Sequence, residues 1–323
     1  MKAIVQDRYG GLETLEYKDI DRPAPKEDEV LVRVHAAGLD RGVWHLMAGL
    51  PYLIRFIGFG VRRPKVRVRG MDVAGTVEAV GGEVTRFQPG DEVFGWADGS
   101  YAEYVSVPAG NLARKPANLS FEQAAVVPIS GFAALQALRD VGQVQAGQRV
   151  LVLGAAGGVG SYAVQLANAF GARVTGVAGT GQLELVRSLG ADDVVDYTLE
   201  DVTDGSRHWD LVIDTGGHRP LSRLRRALTP RGTLVIVGSE GRGRWLGGFD
   251  RNLRAVALSP FVSQRLGMLS SKTRQEDLQT LRELLEAGTV APAVSGTYPL
   301  AEVPEAIRQL VEGHRGGKLV ITV

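Results

Sequence analysis

The stretch Val150-Leu-Val-Leu-Gly-Ala-Ala-Gly-Gly-Val-Gly-Ser-Tyr-Ala-Val-Gln-Leu-Ala167 carries the pattern that decides the fold. Four apolar residues lead into a glycine-rich turn, and the residues after the turn have helical periodicity. A strand buried on both faces is apolar without alternation, so this order predicts strand, loop and helix. Glycines let the loop approach a ligand closely, and the helix directs its free N–H groups toward that loop. An anion is the ligand that this arrangement favours.

Strands and helices alternate after this stretch. Segments 173–177, 193–197, 211–214 and 233–237 are strand-like, and helical patterns lie between them. Such alternation predicts a parallel, doubly wound sheet, in which ligands bind outside the carboxyl ends of the strands. The cofactor-binding residues predicted at those ends are Gly154, Gly157, Gly158, Val159, Gly160, Gly179, Thr180, Thr215, Gly216, Val237 and Gly238.

The end of the second predicted strand bears on the choice of cofactor. An acidic residue there would bind the ribose 2′-hydroxyl of NAD and repel the 2′-phosphate of NADP. The residues present are Ala178-Gly-Thr-Gly181, which include no carboxylate and no Arg or Lys. We therefore predict NADPH as the cofactor, with NADH also admitted. Because the loop departs from G-x-G-x-x-G, a tight turn without a ligand is the alternative for the loop taken alone.

The chain before about residue 116 has a different pattern. Short strand-like segments are separated by turn signals, which predicts a β barrel or sandwich. The last segment, 318–323, is also strand-like. It is expected to rejoin this β domain, since chain termini often lie close together.

Composition narrows the class of protein. The chain has 323 residues, enough for two domains, and a net charge of +1, which favours neither nucleic acid nor an anionic membrane as a partner. The absence of cysteine excludes disulfides and thiolate-ligated zinc, and it is compatible with the reducing cytoplasm, the location we expect. The apolar run 51–61 is too short to span a bilayer, so no integral membrane association is expected.

Seven motifs occur in an order that resembles a known family. They are Ala36-Ala-Gly-Leu-Asp40, Gly70-Met-Asp-Val-Ala-Gly75, Pro89-Gly-Asp-Glu-Val93, Pro128-Ile-Ser-Gly131, Gly154-Ala-Ala-Gly-Gly-Val-Gly160, Leu189-Gly-Ala-Asp192 and Gly317-Lys-Leu-Val320. From end to end the chain resembles the medium-chain dehydrogenase/reductase superfamily, in its zinc-free quinone oxidoreductase-like branch. The resemblance implies a GroES-like β-barrel catalytic domain formed by residues 1–118 and 290–323. It also implies a Rossmann NADP-binding domain over residues 119–289, and a homodimer joined through Rossmann sheet edges.

The resemblance also bears on metal content and reaction. Zinc-dependent members carry a Cys and a Gly-His-Glu where this chain has Asp40 and Gly70-Met71-Asp72, so no metal ligands and no catalytic zinc are expected. Without a Lewis acid an alkoxide loses its usual stabilisation, whereas hydride addition to a quinone or an α,β-unsaturated carbonyl spreads charge to a distant oxygen. We expect a zinc-independent, NADPH-dependent reductase of such small apolar molecules. The alternatives are a zinc-free alcohol or carbonyl oxidoreductase, and a nucleotide-bound binding or regulatory protein.

Three residues are predicted to be catalytic. The resemblance places Asp40 where quinone reductases have an Asn near the nicotinamide, and His45 where they have a Tyr near the substrate. A histidine can relay a proton near neutral pH, and the hydroxyl of Tyr52 can donate one. The alternatives are a helix cap for Asp40 and ordinary, partly buried side chains for His45 and Tyr52.

The resemblance implies further cofactor contacts away from the glycine loop. Ser130 corresponds to a residue near the nicotinamide ribose, and Tyr197 to one that stacks near the 2′-phosphate. Phe261 belongs to a segment that walls the nicotinamide, and Arg315 and Lys318 to a basic C-terminal pair that reaches the cofactor. Each of these residues has an alternative interpretation. Tyr197 could be an aromatic residue at a strand end, Phe261 a core residue, and the basic pair part of a solvated turn.

The run Tyr52–Val61, followed by Arg62 and Arg63, is longer than in compact quinone reductases. We interpret it as a lid over an apolar substrate. A dimer contact or a membrane-surface contact is the alternative.

Overall fold

The computed structural model describes residues 1–238, 243–313 and 316–323. It divides into two compact units. Unit 1 comprises Met1–Ser130, Thr273–Gly288 and Pro292–Val323, and unit 2 comprises Gly131–Lys272 and Thr289–Ala291. Residues 119–130 and 273–288, which the sequence assigned to the Rossmann domain, therefore cluster with unit 1. One contact that holds them there is a 2.9 Å hydrogen bond from Asn118 Nδ2 to the carbonyl of Leu285.

The first part of unit 1 consists mainly of strands. Its elements are β1 (Lys2–Val5), β2 (Glu16–Asp19), β3 (Glu29–Leu39), α1 (Arg41–Ala48), β4 (Asp72–Val80), β5 (Glu92–Trp96), β6 (Tyr104–Pro108), β7 (Leu112–Arg114) and α2 (Phe121–Ala125). A π-type turn, Arg55–Phe59, lies in the long connection between α1 and β4.

The middle of the chain alternates strands and helices. Its elements are α3 (Pro128–Gln136), β8 (Arg149–Leu153), α4 (Gly158–Ala169), β9 (Arg173–Ala178), α5 (Leu183–Ser188), β10 (Asp193–Asp196), β11 (Trp209–Asp214), α6 (Leu221–Arg226), β12 (Leu228–Ile236), α7 (Phe249–Leu258) and β13 (Arg265–Met268). The chain then returns to unit 1 with α8 (Gln275–Glu286), β14 (Val294–Pro299), α9 (Val303–Glu312) and β15 (Lys318–Thr322).

Unit 1 is built on a seven-stranded sheet with β3 near its centre. The order is β14-β15-β3-β4-β5-β7, and β6 pairs with the other end of β3. Val30, Val32 and Val34 alternate along β3 and are buried, as expected for a strand with one face on a core. The C-terminal strand β15 runs antiparallel to β3, with Val320 opposite Gly38. The prediction that the last segment rejoins the β domain is therefore confirmed.

Unit 2 is built on a six-stranded parallel sheet. The order is β10-β9-β8-β11-β12-β13. The chain starts at β8, adds β9 and β10 on one side, and then adds β11, β12 and β13 on the other side. Residues 150–152 of β8 are fully buried because strands flank β8 and helices cover both faces of such a sheet. The predicted GroES-like and Rossmann architecture is confirmed. Among the described residues, no helix is both long enough and apolar enough to cross a membrane.

Candidate functional site

The glycine loop of unit 2 forms a cradle between β8 and α4. Gly154 has a φ of 75°, in the left-handed region that favours glycine. A Cβ on Gly160 would lie 2.0 Å from the carbonyl oxygen of Gly154, so no larger residue fits there. Gly157 is the N-cap of α4 and has no side chain to cap the helix, so the N–H groups of Gly158, Val159 and Gly160 have no intrahelical partner. These features fit a phosphate of a dinucleotide.

The ends of three adjacent strands meet at the same edge of the sheet. Thr215 Oγ1 donates to the carbonyl of Leu153 at 2.7 Å, which ties the end of β11 to the end of β8. A Cβ on Gly154 would lie 2.5 Å from Thr215 Oγ1 and 3.5 Å from the nitrogen of Gly216. The structure thus brings the predicted residues together at the adjacent ends of β8 and β11. The strand order reverses between these two strands, and ligands of such sheets bind at this switch point.

The end of β12 joins the same edge. The amide N–H of Val237 donates to the carbonyl of Asp214 at 2.9 Å. A Cβ on Gly238 would lie 2.1 Å from the carbonyl oxygen of Thr215, so Gly238 is held against the end of β11. The role of these residues in binding a cofactor stays a prediction.

Sequence reasoning missed a carboxylate beside Thr180. The hydroxyl of Thr180 donates to Asp196 Oδ2 at 2.5 Å, and both the N–H and the hydroxyl of Thr198 donate to Asp196 Oδ1. The hydrogen bond from Thr180, with those from Thr198, lowers the pKa of Asp196 below its ordinary value, so the group is ionised at neutral pH. Asp196 reaches Thr180 because β10 pairs with β9, where Asp196 lies opposite Ala178. The signal in the sequence was an acidic residue at the end of the next strand, Asp193-Val-Val-Asp196.

The other predicted cofactor contacts of unit 2 lie at the surface. Tyr197 is 52% exposed and follows Asp196 at the same edge, where a Cβ on Gly179 would lie 3.5 Å from its ring. Phe261 is 84% exposed, so the alternative that it is a core residue is wrong. Arg315 lies outside the described residues.

Unit 1 contains a buried ionic cluster that includes three of the predicted residues. Lys318 Nζ lies 2.6 Å from Asp40 Oδ1, 2.9 Å from Asp72 Oδ2 and 3.3 Å from Ser130 Oγ. Ser130 also donates to Asp40 Oδ1 at 3.0 Å, and the N–H of Ile129 donates to Asp72 Oδ1 at 2.9 Å. An ammonium has three protons to donate, so all of those on Lys318 are engaged inside unit 1. Asp72 is the member that sequence reasoning missed. Its motif, Gly70–Gly75, indicated only that the zinc ligands of other members are replaced.

The pKa values of the two carboxyl groups of the cluster are shifted in opposite directions. Asp40 is 8% exposed and Asp72 is fully buried, so desolvation favours the neutral form of each. For Asp40 that effect is outweighed by the charge of Lys318 and by hydrogen bonds, and its pKa is lowered. For Asp72, burial and the nearby charge of Asp40 raise the pKa well above its ordinary value. Of the two carboxyl groups, Asp72 is therefore the one that holds a proton more readily.

Asp40 does not cap α1 through its side chain. It occupies the N-cap position with extended backbone, but its side chain makes no capping hydrogen bond. The helix-cap alternative is therefore wrong for the carboxylate, which turns toward Lys318 instead. A carboxylate held by an ammonium and a hydroxyl is fixed in place, and α1 begins at the next residue.

The other two predicted catalytic residues lie on or just beyond α1. His45 Nδ1 lies 2.9 Å from the carbonyl of Leu50, so Nδ1 carries the proton of that hydrogen bond. In the neutral ring the lone pair is then on Nε2. The guanidinium of Arg55 lies 4.8 Å from the ring centroid of Tyr52. Both side chains are half-buried.

A cavity of about 190 Å³ lies within unit 1, between α1 and the segment that leads to β4. Its walls are mostly apolar, with Val43 and Leu46 on α1 and Met71 just before β4 among them. Asp40, His45 and Tyr52 are not among its lining residues. The structure therefore does not gather the three predicted catalytic residues around this cavity.

Comparison with known proteins identifies the family. Residues 26–117 match the family model described as alcohol dehydrogenase GroES-like domain, and residues 189–321 match the one described as zinc-binding dehydrogenase. The chain is 32% identical to the quinone oxidoreductase of Homo sapiens, over 99% of this chain and 97% of that protein. It belongs to the quinone oxidoreductase-like branch of the medium-chain dehydrogenase/reductase superfamily.

Solved structures of other members of the superfamily superpose on the whole chain. The quinone oxidoreductase from Coxiella burnetii has a TM-score of 0.87 and 29% identity, and the alignment covers 100% of this chain and 99% of that one. The mycobacterial protein Rv1454c, solved in complex with NADPH, has a TM-score of 0.83 and 27% identity, with full coverage of both chains.

The resemblance aligns two positions of this chain with residues that bind catalytic zinc in other members of the superfamily. Asp40 and Met71 occupy them, and the carboxylate of Asp40 is bonded to the ammonium of Lys318. The next residue, Asp72, is bonded to the same ammonium. Within the part of the chain that the structure describes, no group of three or more His, Asp or Glu side chains is arranged to hold a metal ion.

The segment predicted as a lid presents apolar side chains to solvent. Phe56 and Ile57 are each 65% exposed. The backbone behind them is anchored, because the hydroxyl of Tyr9 donates to the carbonyls of Phe59 and Gly60 at 2.8 and 2.6 Å. Of the apolar residues at 56, 57, 59 and 61, only Phe59 lines the 190 Å³ cavity. A function of this segment as a lid stays a prediction.

Proposed function

We propose that this member of the superfamily is a zinc-independent oxidoreductase that uses NADPH to reduce quinones or α,β-unsaturated carbonyl compounds. The observation that carries the proposal is the buried Lys318 ammonium bonded to Asp40 and Asp72, next to the positions of zinc ligands in other members. Because both carboxyl groups are bonded to a cation of the chain itself, these positions disfavour the zinc-dependent form of alcohol oxidation. The relatives named quinone oxidoreductase support the substrate class.

The bound nicotinamide cofactor would supply the hydride, and the chain would bind, orient and protonate the acceptor. Addition of hydride to a conjugated acceptor places negative charge on an oxygen, which needs only a hydrogen-bond donor. Tyr52 donates through its hydroxyl in its neutral form. His45 donates from Nε2 only as the imidazolium, because Nδ1 already donates to Leu50. We therefore propose Tyr52 as the donor when the ring of His45 is neutral, and His45 as a second donor only in its imidazolium form.

Turnover with defined acceptors tests the proposal. We expect the purified chain to oxidise NADPH with menadione or 9,10-phenanthrenequinone at a rate that a chelator does not change. We expect Tyr52→Phe to lower kcat by about tenfold or more, as loss of a proton donor does. Oxidation of simple alcohols that is lost with a chelator and restored by zinc, with no reduction of quinones or enones, would overturn the proposal.

Asp196 is expected to limit the preference for NADPH. Its ionised carboxylate lies beside Thr180, at the strand end where the 2′-phosphate of NADPH would bind. Removal of one negative charge close to a phosphate removes a repulsion and so favours binding of that phosphate. We expect Asp196→Asn to raise the ratio of kcat/KM for NADPH over NADH by about tenfold. Asp193→Asn is the matched control, since Asp193 is at the opposite end of β10 and pairs with Arg173.

An exposed sheet edge supports the proposed homodimer. Among the described residues, β13 pairs only with β12, so its other side is an open edge. Open edges invite pairing with a second chain, and the exposed ring of Phe261 lies a few residues before β13. The mass in solution by light scattering tests this proposal, and a cytoplasmic location stays a prediction.

A further inference from the structure

Arg69 is a buried cation to which the described residues offer no hydrogen-bond partner. Its residue surface is 6% exposed, and its buried Nε–H finds no hydrogen-bond acceptor among the described residues. No hydrogen bond or ion pair of its guanidinium is found among residues 1–238, 243–313 and 316–323. Its backbone is fixed, because its N–H donates to Ile4 and its carbonyl accepts from Tyr101. The position of the Arg69 backbone is therefore set by neighbouring segments of the backbone and not by the charge of its side chain.

An unpaired guanidinium is a costly group to bury. It carries five N–H donors and remains charged in proteins. Burial lowers the pKa of Arg69, and the nearby Tyr9 and Asp98 oppose that shift. Because Asp98 is exposed, water screens its charge and it does not replace a direct partner. A bound acceptor would satisfy the donors that the protein leaves open.

Arg69 lines the cavity of about 190 Å³ described above. The remaining walls come mainly from apolar side chains, which are Val43, Leu46, Phe59, Val66, Val68 and Met71. The other charged residues of the lining are Lys65 and Asp98, which are both exposed and of opposite sign. The uncompensated charge of the cavity is thus one positive charge on Arg69.

We propose that this cavity binds a small organic monoanion, with an apolar body against the hydrophobic wall and a carboxylate on the guanidinium of Arg69. A carboxylate matches the planar fork of arginine through two parallel hydrogen bonds. A single negative charge neutralises the site, whereas a phosphate dianion would leave it negative. The apolar wall selects a molecule with a hydrocarbon or aromatic body over a free inorganic anion.

The inference goes beyond the proposed reductase activity and does not depend on it. Binding is a property of unit 1 alone and needs neither NADPH nor turnover.

Calorimetric titration of the full chain, without cofactor, tests the site. Benzoate and its uncharged analogue benzamide are the probes, and the proteins are wild type, Arg69→Met and Arg67→Met. Arg67 is the matched control, because it lies two residues away, is exposed and pairs with Asp7 outside this cavity. We expect wild type and Arg67→Met to bind benzoate at least about tenfold more tightly than benzamide. We expect Arg69→Met to lose at least about 30-fold in affinity for benzoate, the lower range for a truncated buried charge pair.

Two further variants keep the test decisive. Arg69→Lys retains the charge without the planar fork and is expected to bind benzoate with intermediate affinity. Asp98→Asn removes the opposing charge and is expected to tighten binding. Equal affinity of wild type for benzoate and benzamide would overturn the proposal, as would unchanged benzoate binding by an Arg69→Met protein with wild-type circular dichroism. Failure of NADPH-dependent quinone reduction would count against the proposed function alone.

Discussion

Lys318 and Arg69 are both buried cations of unit 1, and their surroundings differ completely. Lys318 is 3% exposed and donates to Asp40, Asp72 and Ser130. Arg69 is 6% exposed and has no such partner in the described part of the chain. A buried charge is stable when opposite charge and hydrogen bonds replace the water it has lost. Lys318 therefore belongs to a closed electrostatic cluster, whereas Arg69 is open to a ligand.

Replacement of Lys318 is expected to have the largest effect. Lys318→Met leaves the Asp40 carboxylate buried without its cation, and loss of one partner of a buried ion pair costs about 3–5 kcal/mol. The free energy of unfolding, measured by urea denaturation, should fall by that amount. Lys2→Met is the control, because Lys2 pairs with Asp19 where both side chains are exposed, and such surface pairs contribute little. Similar losses in the two variants would show that the cluster contributes nothing beyond a surface ion pair.

The raised pKa of Asp72 predicts that the free energy of unfolding depends on pH. Its pKa in the folded chain is raised well above 3.8 by burial and by Asp40. The folded state then binds more protons than the unfolded state, so the contribution of Asp72 to stability is fully present below about pH 3.8 and is lost as pH rises through the folded pKa. Asp72→Asn keeps an uncharged side chain that can hydrogen-bond at this position. It does not titrate, so it lacks the pH dependence of Asp72.

Comparison of wild type with Asp72→Asn measures this effect. As pH rises above about 4, the unfolding free energy of wild type should fall relative to that of the variant, by up to about 1.4 kcal/mol per pH unit. Asp98→Asn is the control, since Asp98 is exposed. A difference between wild type and Asp72→Asn that stays constant with pH would mean that Asp72 is ionised in the folded chain.

Replacement of Arg69 is expected to have the smallest effect on stability. Arg69→Met removes a buried charge that has no partner and keeps an apolar side chain in its place. The free energy of unfolding should lie within about 1 kcal/mol of wild type or above it, since apolar replacements of buried charges are often neutral or stabilising. The same denaturation experiment checks this. A loss as large as that of Lys318→Met would remove the distinction between the two cations.

Local patterns predicted the fold and the glycine cradle. The apolar run of β8, the glycines at 154, 157, 158 and 160, and the helical periodicity of α4 are all properties of neighbouring residues. Gly160 illustrates why this works, because the constraint that excludes a Cβ comes from Gly154, six residues earlier. The strand-like character of residues 318–323 was also visible, and β15 pairs with β3 as predicted.

Local patterns did not predict the surroundings of the charged groups. Sequence reasoning assigned Asp40 to catalysis and Lys318 to the cofactor, and the structure joins the two inside unit 1. Asp196 was missed because it reaches Thr180 across two paired strands. Arg69 was missed because nothing in Arg67-Val-Arg69 distinguishes an exposed arginine from a buried one.

The sequence by itself therefore determined the family, the parallel sheet and the glycine cradle, because periodicity and turn chemistry act between residues that are close along the chain. Only the tertiary structure decided which charges are neutralised. Lys318 meets Asp40 across 278 positions and Asp72 across 246, and Arg69 meets no partner at all among the described residues. Electrostatic free energy depends on distance in space and on burial, and both arise from packing that no local pattern records.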